Sequence, residues 1–238
     1  MNEKAALPWF QAIQTQIAEL PKQSDRAKAW SDCVIALHFR MVYFAYHRDE
    51  FGRHILDGLA HVQESEHDKA MIEAAFGERD AEQVSVNAVL AAAHLVAAAQ
   101  SMHAACELLY RVAYWALGLN TTALSLTLSN FAIQDVAKSS YGRSKPELEQ
   151  LVESTEYAYL AGFVAVSKFR HLLSPRPQLC AADGDERGGL QVAGFEHGRG
   201  KKIHVYPSKW AADFLMVDCE ALVNRLHAVG VAIAHDMV

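Results

Sequence analysis

A chain of 238 residues, 51% of them hydrophobic, can bury a full core as one large domain or as a helical body with a small appendage. This composition excludes a disordered or fibrous protein. The net charge of −6 is unevenly distributed, because residues 168–209 carry eight lysines and arginines against four acids, a local charge of +4.

The N-terminal region predicts two helices. Pro8 suits the first turn of a short helix that Pro21 ends, and Asp25 or the preceding serine caps a second helix that we expect to reach Phe76. A kink near Gly52 is left open. The second helix has apolar residues three and four positions apart, as an amphipathic helix requires: Val34, Leu37, Met41, Phe44, Phe51, Ile55, Leu59 and Val62.

A third helix is predicted over Ala81–Leu117. Asp80 and Gln83 resemble a capping box, and neither proline nor glycine interrupts the segment before Gly118. Its many alanines allow close helix packing, so it is expected to be the central helix. Residues 121–139 are left open between helix and strand, because leucines alternate there at Leu124, Leu126 and Leu128.

The C-terminal part combines a helix, a turn-rich loop and a hairpin. The capping-box spacing of Ser144 and Glu147 opens a helix that we expect to end at Leu173. A loop rich in proline and glycine follows, and two short strand patterns, Leu190–Phe195 and Lys201–Tyr206, then flank a glycine-containing turn. A last helix is predicted from Pro207 to the C-terminus.

These elements predict a mainly α fold, a multi-helix bundle with a small β-hairpin before the C-terminal helix. The predicted domain organisation is a helical bundle over residues 1–173, with the loop, the hairpin and the last helix (174–238) packed on the same domain.

Several common sites are absent from the sequence. It has no Gly-x-Ser-x-Gly elbow, no His-Glu-x-x-His and no Gly-x-Gly-x-x-Gly motif. The four cysteines form no Cys-x-x-Cys pair, which favours free thiols in a reducing compartment. The N-terminus has no secretion-signal pattern, and the most apolar run, Ala88–Ala99, is shorter than a bilayer requires. We therefore expect a cytoplasmic protein that does not contact a membrane.

Histidines and acids recur along the second helix. Seven-residue steps separate three of the histidines by about 10 Å each, too far for two imidazoles to share one ion easily. One functional hypothesis for this helix is a metal or small-ligand site formed by His54, Asp57, His61 and Glu64. A solvent-exposed helix face with ion pairs between histidines and acids also explains the pattern. Glu64 and His67 form the chain's one Glu-x-x-His spacing, which disfavours a di-iron bundle. We therefore predict no metal and no other cofactor.

Arg48, Asp49 and His54 form the motif that points most directly to a function. Arg48 falls on the apolar face of the second helix, where a guanidinium requires a buried partner, a subunit interface or a ligand. An arginine followed by a polar residue, with a histidine a few positions later, resembles the signature of the HEPN superfamily. That resemblance implies a dimerising helical bundle in which Arg48 contacts the RNA phosphate and His54 acts as acid or base without a metal.

A second set of residues is basic and is expected to contact phosphate: Lys168, Arg170, His171, Arg199, Lys201 and Lys202. The sequence thus predicts a homo-oligomeric, HEPN-like RNA-associated protein, with ribonuclease activity in a defence or toxin system as one form. The alternative is a non-catalytic scaffold that dimerises or binds a protein partner. Whether the chain is an enzyme is left open.

Overall fold

A computed structural model describes residues 8–19, 25–63, 80–117, 142–170, 172–173, 178–182, 185–199 and 202–237. The expectations for residues 64–76 of the second helix and for residues 121–139 lie outside these ranges.

The fold is mainly α, as the sequence predicts. The helices are α1 (Pro8–Glu19), α2 (Asp25–Gln63), α3 (Asp80–Ala116), α4 (Ser144–Glu153), α5 (Thr155–Ser167), α6 (Ala211–Asp213) and α7 (Cys219–Asp236), with a π-helical turn at Phe214–Asp218 between the last two. The predicted starts of α1, α2 and α3 are confirmed to within a residue, and α2 continues unbroken through Gly52.

A hairpin is confirmed in this region, formed by β4 (Phe195–Arg199) and β5 (Lys202–Tyr206), which pair antiparallel with Phe195 opposite Tyr206. The predicted first strand, Leu190–Phe195, is wrong in its bounds, because β4 begins at Phe195 and includes residues expected in the turn. The turn-rich loop before it holds a second antiparallel hairpin that the sequence did not predict, formed by β1 (Gln178–Ala182) and β2 (Asp185–Gly189). Its glycines and charged residues conceal the strand pattern. A third short pair joins β3 (Gln191–Val192) to β6 (Lys209–Trp210).

The helix predicted from Ser144 to Leu173 is wrong in its length and in its cap. Ser154 adopts an extended conformation and separates α4 from α5. The Ser154 hydroxyl accepts a hydrogen bond from the Tyr157 N–H at 3.2 Å, as a helix N-cap does. At the start of α4, Ser144 does not cap the helix through its own side chain, because its hydroxyl donates to the Asp236 carboxylate at 2.8 Å. The same carboxylate oxygen accepts the Ser144 N–H at 2.8 Å.

The last helical segment begins at Ala211, four residues after the predicted Pro207, because Lys209–Trp210 pairs with β3. The π-helical turn that follows was not predicted. It places Asp218 where the carboxylate accepts a hydrogen bond from Lys209. The Lys209 ammonium also lies 4.6 Å from the centre of the Tyr159 ring.

By its internal contacts the chain divides into two compact units. The first unit comprises Met1–Val42, Ser101–Ala158 and Glu220–Val238. In its core, the buried Trp9 indole donates to Nδ1 of His227 at 3.2 Å. A side chain at Gly230 would overlap that indole, so α7 approaches α1 closely at this point.

The second unit comprises Tyr43–Gln100 and Tyr159–Cys219. Its core has two recognisable parts. The alanine-rich face of α3, including Ala91 and Ala98, is fully buried. The other part is an aromatic cluster in which neighbouring ring centroids lie 4.8 to 6.5 Å apart, formed by Tyr159, Phe163, Phe195, Tyr206 and Phe214.

Among the described residues, Val86–Ala116 is the one helical stretch long and apolar enough to cross a membrane by length and composition. It is longer than the apolar run identified in the sequence. Half of its most apolar window is buried inside the structure, and the core helix of a soluble protein meets the same criteria. Cys33, Cys106 and Cys219 are free thiols, as predicted.

Candidate functional site

The buried stripe of α2 explains the position of Arg48. Its members are spaced three, four or seven residues apart, so they lie on one face of the helix, and each is at most 3% exposed: Trp30, Val34, Leu37, Phe44 and Phe51. Arg48 falls on this stripe, four residues after Phe44 and three before Phe51, yet its side chain is 30% exposed. The prediction that Arg48 lies on the core face of α2 is therefore confirmed, but its guanidinium is only partly buried.

Arg48 forms a local ion pair. Its Nε and Nη2 both donate to one oxygen of Asp49, at 3.1 and 3.0 Å. The guanidinium also lies 5.8 Å from the centre of the Phe44 ring. Asp49 is 69% exposed, so this pair is accessible to solvent.

His54 is oriented away from Arg48. Six residues of α-helix separate the two by roughly 120° around the axis and about 9 Å along it. The imidazole of His54 instead stacks on His94 from α3, with ring centroids 5.5 Å apart and planes inclined by 20°. Within this chain, the predicted arginine–histidine pair therefore lies on different sides of α2.

A cluster of histidines and a carboxylate surrounds His94. His47, Glu50 and His54 follow one another at three and four residues, which places them on one side of α2. Nδ1 of His47 lies 2.9 Å from Nδ1 of His94, within hydrogen-bond distance. Glu50, His54 and His94 each offer one ligand atom, and these atoms all lie within 4.8 Å of one another.

The charges at this cluster favour metal-binding protonation states. Burial lowers the pKa of His94, and the neighbouring His47 and His54 lower it further, so that His94 is neutral at pH 7. The hydrogen bond from Arg53 lowers the pKa of Glu50, which keeps its carboxylate ionised. Neutral imidazole and ionised carboxylate are the forms that coordinate metal ions.

The other predicted residues stand as follows. Glu64, His171 and Lys201 lie outside the described residues, and so do the side chains of Asp57, His61 and Arg199. Lys168 and Arg170 are exposed just after α5, and Lys202 is exposed on β5. A phosphate-binding role for these three residues stays a prediction.

Sequence reasoning missed two members of the cluster, Glu50 and His94. Glu50 falls between His47 and His54 at spacings of three and four residues, so the sequence itself contains the signal that these three residues share one side of the helix. His94 is a polar interruption in the most apolar run of the chain. A histidine at such a position requires a polar partner, and α2 supplies it.

Self-association, which the sequence predicts, stays a prediction. Ile35, Phe39 and Tyr43 on α2 are each close to half exposed, which is unusual for large apolar side chains that follow one another along a helix.

The chain matches no known family by comparison with family models, and neither a curated protein nor a solved structure resembles it at a significant level. The site geometry therefore carries the functional argument alone.

Proposed function

We propose that this chain binds a divalent transition-metal ion through Glu50, His54 and His94. The observation that carries the proposal is the mutual approach of their three ligand atoms to within 4.8 Å. Ligands bound to one tetrahedral ion at about 2.0–2.1 Å lie roughly 3.4 Å apart. Small side-chain rotations close that difference, because the three residues are only partly buried.

The surroundings of the ligands support the proposal. In metal sites, a coordinating histidine almost always donates its other N–H to a neighbour, and coordinating carboxylates are themselves hydrogen-bonded. His94 has such a neighbour in His47, and Glu50 has one in Arg53.

Two histidines and one carboxylate form a ligand set that leaves coordination positions open, as in catalytic zinc sites and non-haem iron sites. All three residues are partly exposed, so a water molecule or a substrate can reach the ion. The chemistry that we propose is Lewis-acid activation of a metal-bound water.

The first experiment is a Zn²⁺ titration of metal-depleted protein by calorimetry, repeated with Mn²⁺ and Fe²⁺. We expect one ion per chain. Glu50→Gln and His94→Ala should each weaken Zn²⁺ binding by roughly 100-fold or more, because loss of an outer partner alone costs about 10- to 100-fold.

His38→Ala is the matched control, since it removes an exposed histidine of α2 outside the cluster. Binding that is equally strong in all four proteins would contradict the proposal, as would wild-type protein that takes up no metal ion.

RNA association is the second candidate function. The observation that favours it is the solvent-accessible Arg48–Asp49 pair on the core stripe, together with the exposed Lys168, Arg170 and Lys202. In a metal-independent ribonuclease of HEPN type, Arg48 and His54 would act together across a dimer.

His54 belongs to both proposed sites, so substituting it cannot distinguish the two functions. The variants Arg48→Ala and Glu50→Gln can, because each changes a residue of one site alone. If the chain is a metal-independent ribonuclease, Arg48→Ala abolishes RNA cleavage, Glu50→Gln retains it, and chelator has no effect. If cleavage is metal-dependent, chelator and Glu50→Gln both abolish it. Wild-type protein that binds neither Zn²⁺ nor RNA at low salt would favour the interaction-protein alternative.

A further inference from the structure

His47 is close to the proposed metal ligands but is not a member of the group of three. It lies one turn before Glu50 on α2, is partly buried, and contacts His94 through the two Nδ1 atoms at 2.9 Å. Tyr46 stands edge-on to both rings, with centroids 5.0 Å from His47 and 6.1 Å from His94. His94 therefore has His47 as its hydrogen-bond partner and His54 against its ring face.

A hydrogen bond between the two facing Nδ1 atoms requires a proton on one of them. If Nδ1 of His47 carries it, the proton of His94 is on Nε2, and no lone pair of His94 remains for a metal ion. If Nδ1 of His94 carries it, Nε2 of His94 has a free lone pair. Which nitrogen is protonated thus decides whether His94 can bind a metal.

We propose that His47 is a positioning residue, which accepts the Nδ1 proton of His94 and holds His94 in the tautomer that offers Nε2 to the metal ion. The inference rests on the proposed metal site. It assigns to His47 the role that a carboxylate or a carbonyl oxygen has beside many metal-binding histidines. The partly buried His47 ring contacts the rings of both Tyr46 and His94, and these contacts hold it against His94.

The test uses two substitutions at one position. His47→Asn keeps an acceptor close to the place of Nδ1, whereas His47→Leu has a similar size and no acceptor. We expect His47→Leu to weaken Zn²⁺ binding about 10- to 100-fold, and His47→Asn to restore most of the affinity. His38→Leu, a change of the same type at an exposed position of α2, should bind Zn²⁺ like the wild type.

The second measurement needs no metal ion. Nitrogen-15 NMR of the metal-free protein distinguishes a protonated from an unprotonated ring nitrogen, and we expect His94 to carry its proton on Nδ1. In His47→Leu the Nε2-protonated form should become populated. A thermal melt of each variant shows whether the fold is retained.

Each outcome decides the question. Wild-type affinity in His47→Leu overturns the inference, as does an Nε2-protonated His94 in the wild type. An equally severe loss in His47→Leu and His47→Asn, greater than about 100-fold, also overturns it, because His47 would then be a direct ligand. Wild-type protein that binds no metal ion overturns the proposed function and this inference together, whereas the other outcomes leave the metal site standing.

Discussion

Two polar clusters in this chain differ in their hydrogen bonds and in their exposure to solvent. In the first unit, one oxygen of Asp236 accepts the N–H of Arg143 at 3.2 Å and both the N–H and the hydroxyl of Ser144 at 2.8 Å. In the second unit, Glu50, His54 and His94 each bring one ligand atom to within 4.8 Å of the other two.

The two clusters also differ in their exposure to solvent. The Asp236 side chain is 7% exposed and Ser144 is fully buried, so the carboxylate serves as the N-terminal cap of α4. The members of the histidine cluster are all partly exposed. A buried cluster whose donors and acceptor are paired with one another stabilises the fold, whereas a partly exposed cluster of potential ligand atoms can bind a ligand. The predictions below test this contrast.

The largest effect is expected from metal binding. At a free Zn²⁺ concentration 1,000 times its Kd, the ion should raise the free energy of unfolding by about 4 kcal/mol, because it binds the folded state alone. Urea denaturation followed by circular dichroism, with and without Zn²⁺, measures this shift. It should be much smaller in His94→Ala, and an equal shift in both proteins would mean that the ion binds elsewhere.

A smaller effect is expected when the structural cluster is broken. Asp236→Ala removes the cap and leaves the buried Ser144 donors without an acceptor, so it should lower the free energy of unfolding by about 1–3 kcal/mol. Zn²⁺ affinity should be unchanged in this variant. Loss of metal binding without loss of stability would reverse the roles assigned to the two clusters.

Acid should weaken the same cap. Burial alone would raise the pKa of Asp236, but the hydrogen bonds from Ser144 and Arg143 outweigh it and hold the pKa below the ordinary 3.8. A carboxyl whose folded pKa is depressed adds stability above its unfolded pKa, and that stability disappears as the pH falls through the folded pKa.

The stability difference between wild type and Asp236→Asn should therefore be constant at neutral pH and shrink below about pH 3.8. Urea midpoints measured from pH 7 to pH 2 provide the check. A difference that grows in acid would show that the charged form of Asp236 does not stabilise the fold.

The smallest effect is expected for Glu50→Gln in the absence of metal. The Glu50–Arg53 pair is exposed at its arginine end, and such surface pairs contribute little to stability. The urea midpoint should thus be nearly unchanged, although Zn²⁺ binding is lost. A large destabilisation would make this carboxylate structural, like that of Asp236.

The sequence alone determined most of the helical framework. Helices α1, α2 and α3 begin where proline, capping residues and apolar periodicity predicted, and the strand pattern Lys201–Tyr206 located β5, the second strand of the hairpin. It also placed Arg48 on the core stripe of α2. These features depend on residues within a few positions of one another, whose spacing is read directly from the sequence.

Only the tertiary structure decided which polar groups meet. His94 is 47 residues from His47, and Asp236 is 92 residues from Ser144, so no local pattern could pair them. For the same reason, the local sequence predicted that Ser144 caps its own helix, whereas in the structure the distant Asp236 accepts the Ser144 N–H. Local spacing fixes the face of a helix on which a side chain lies, whereas the packing of distant segments determines whether that side chain finds a partner.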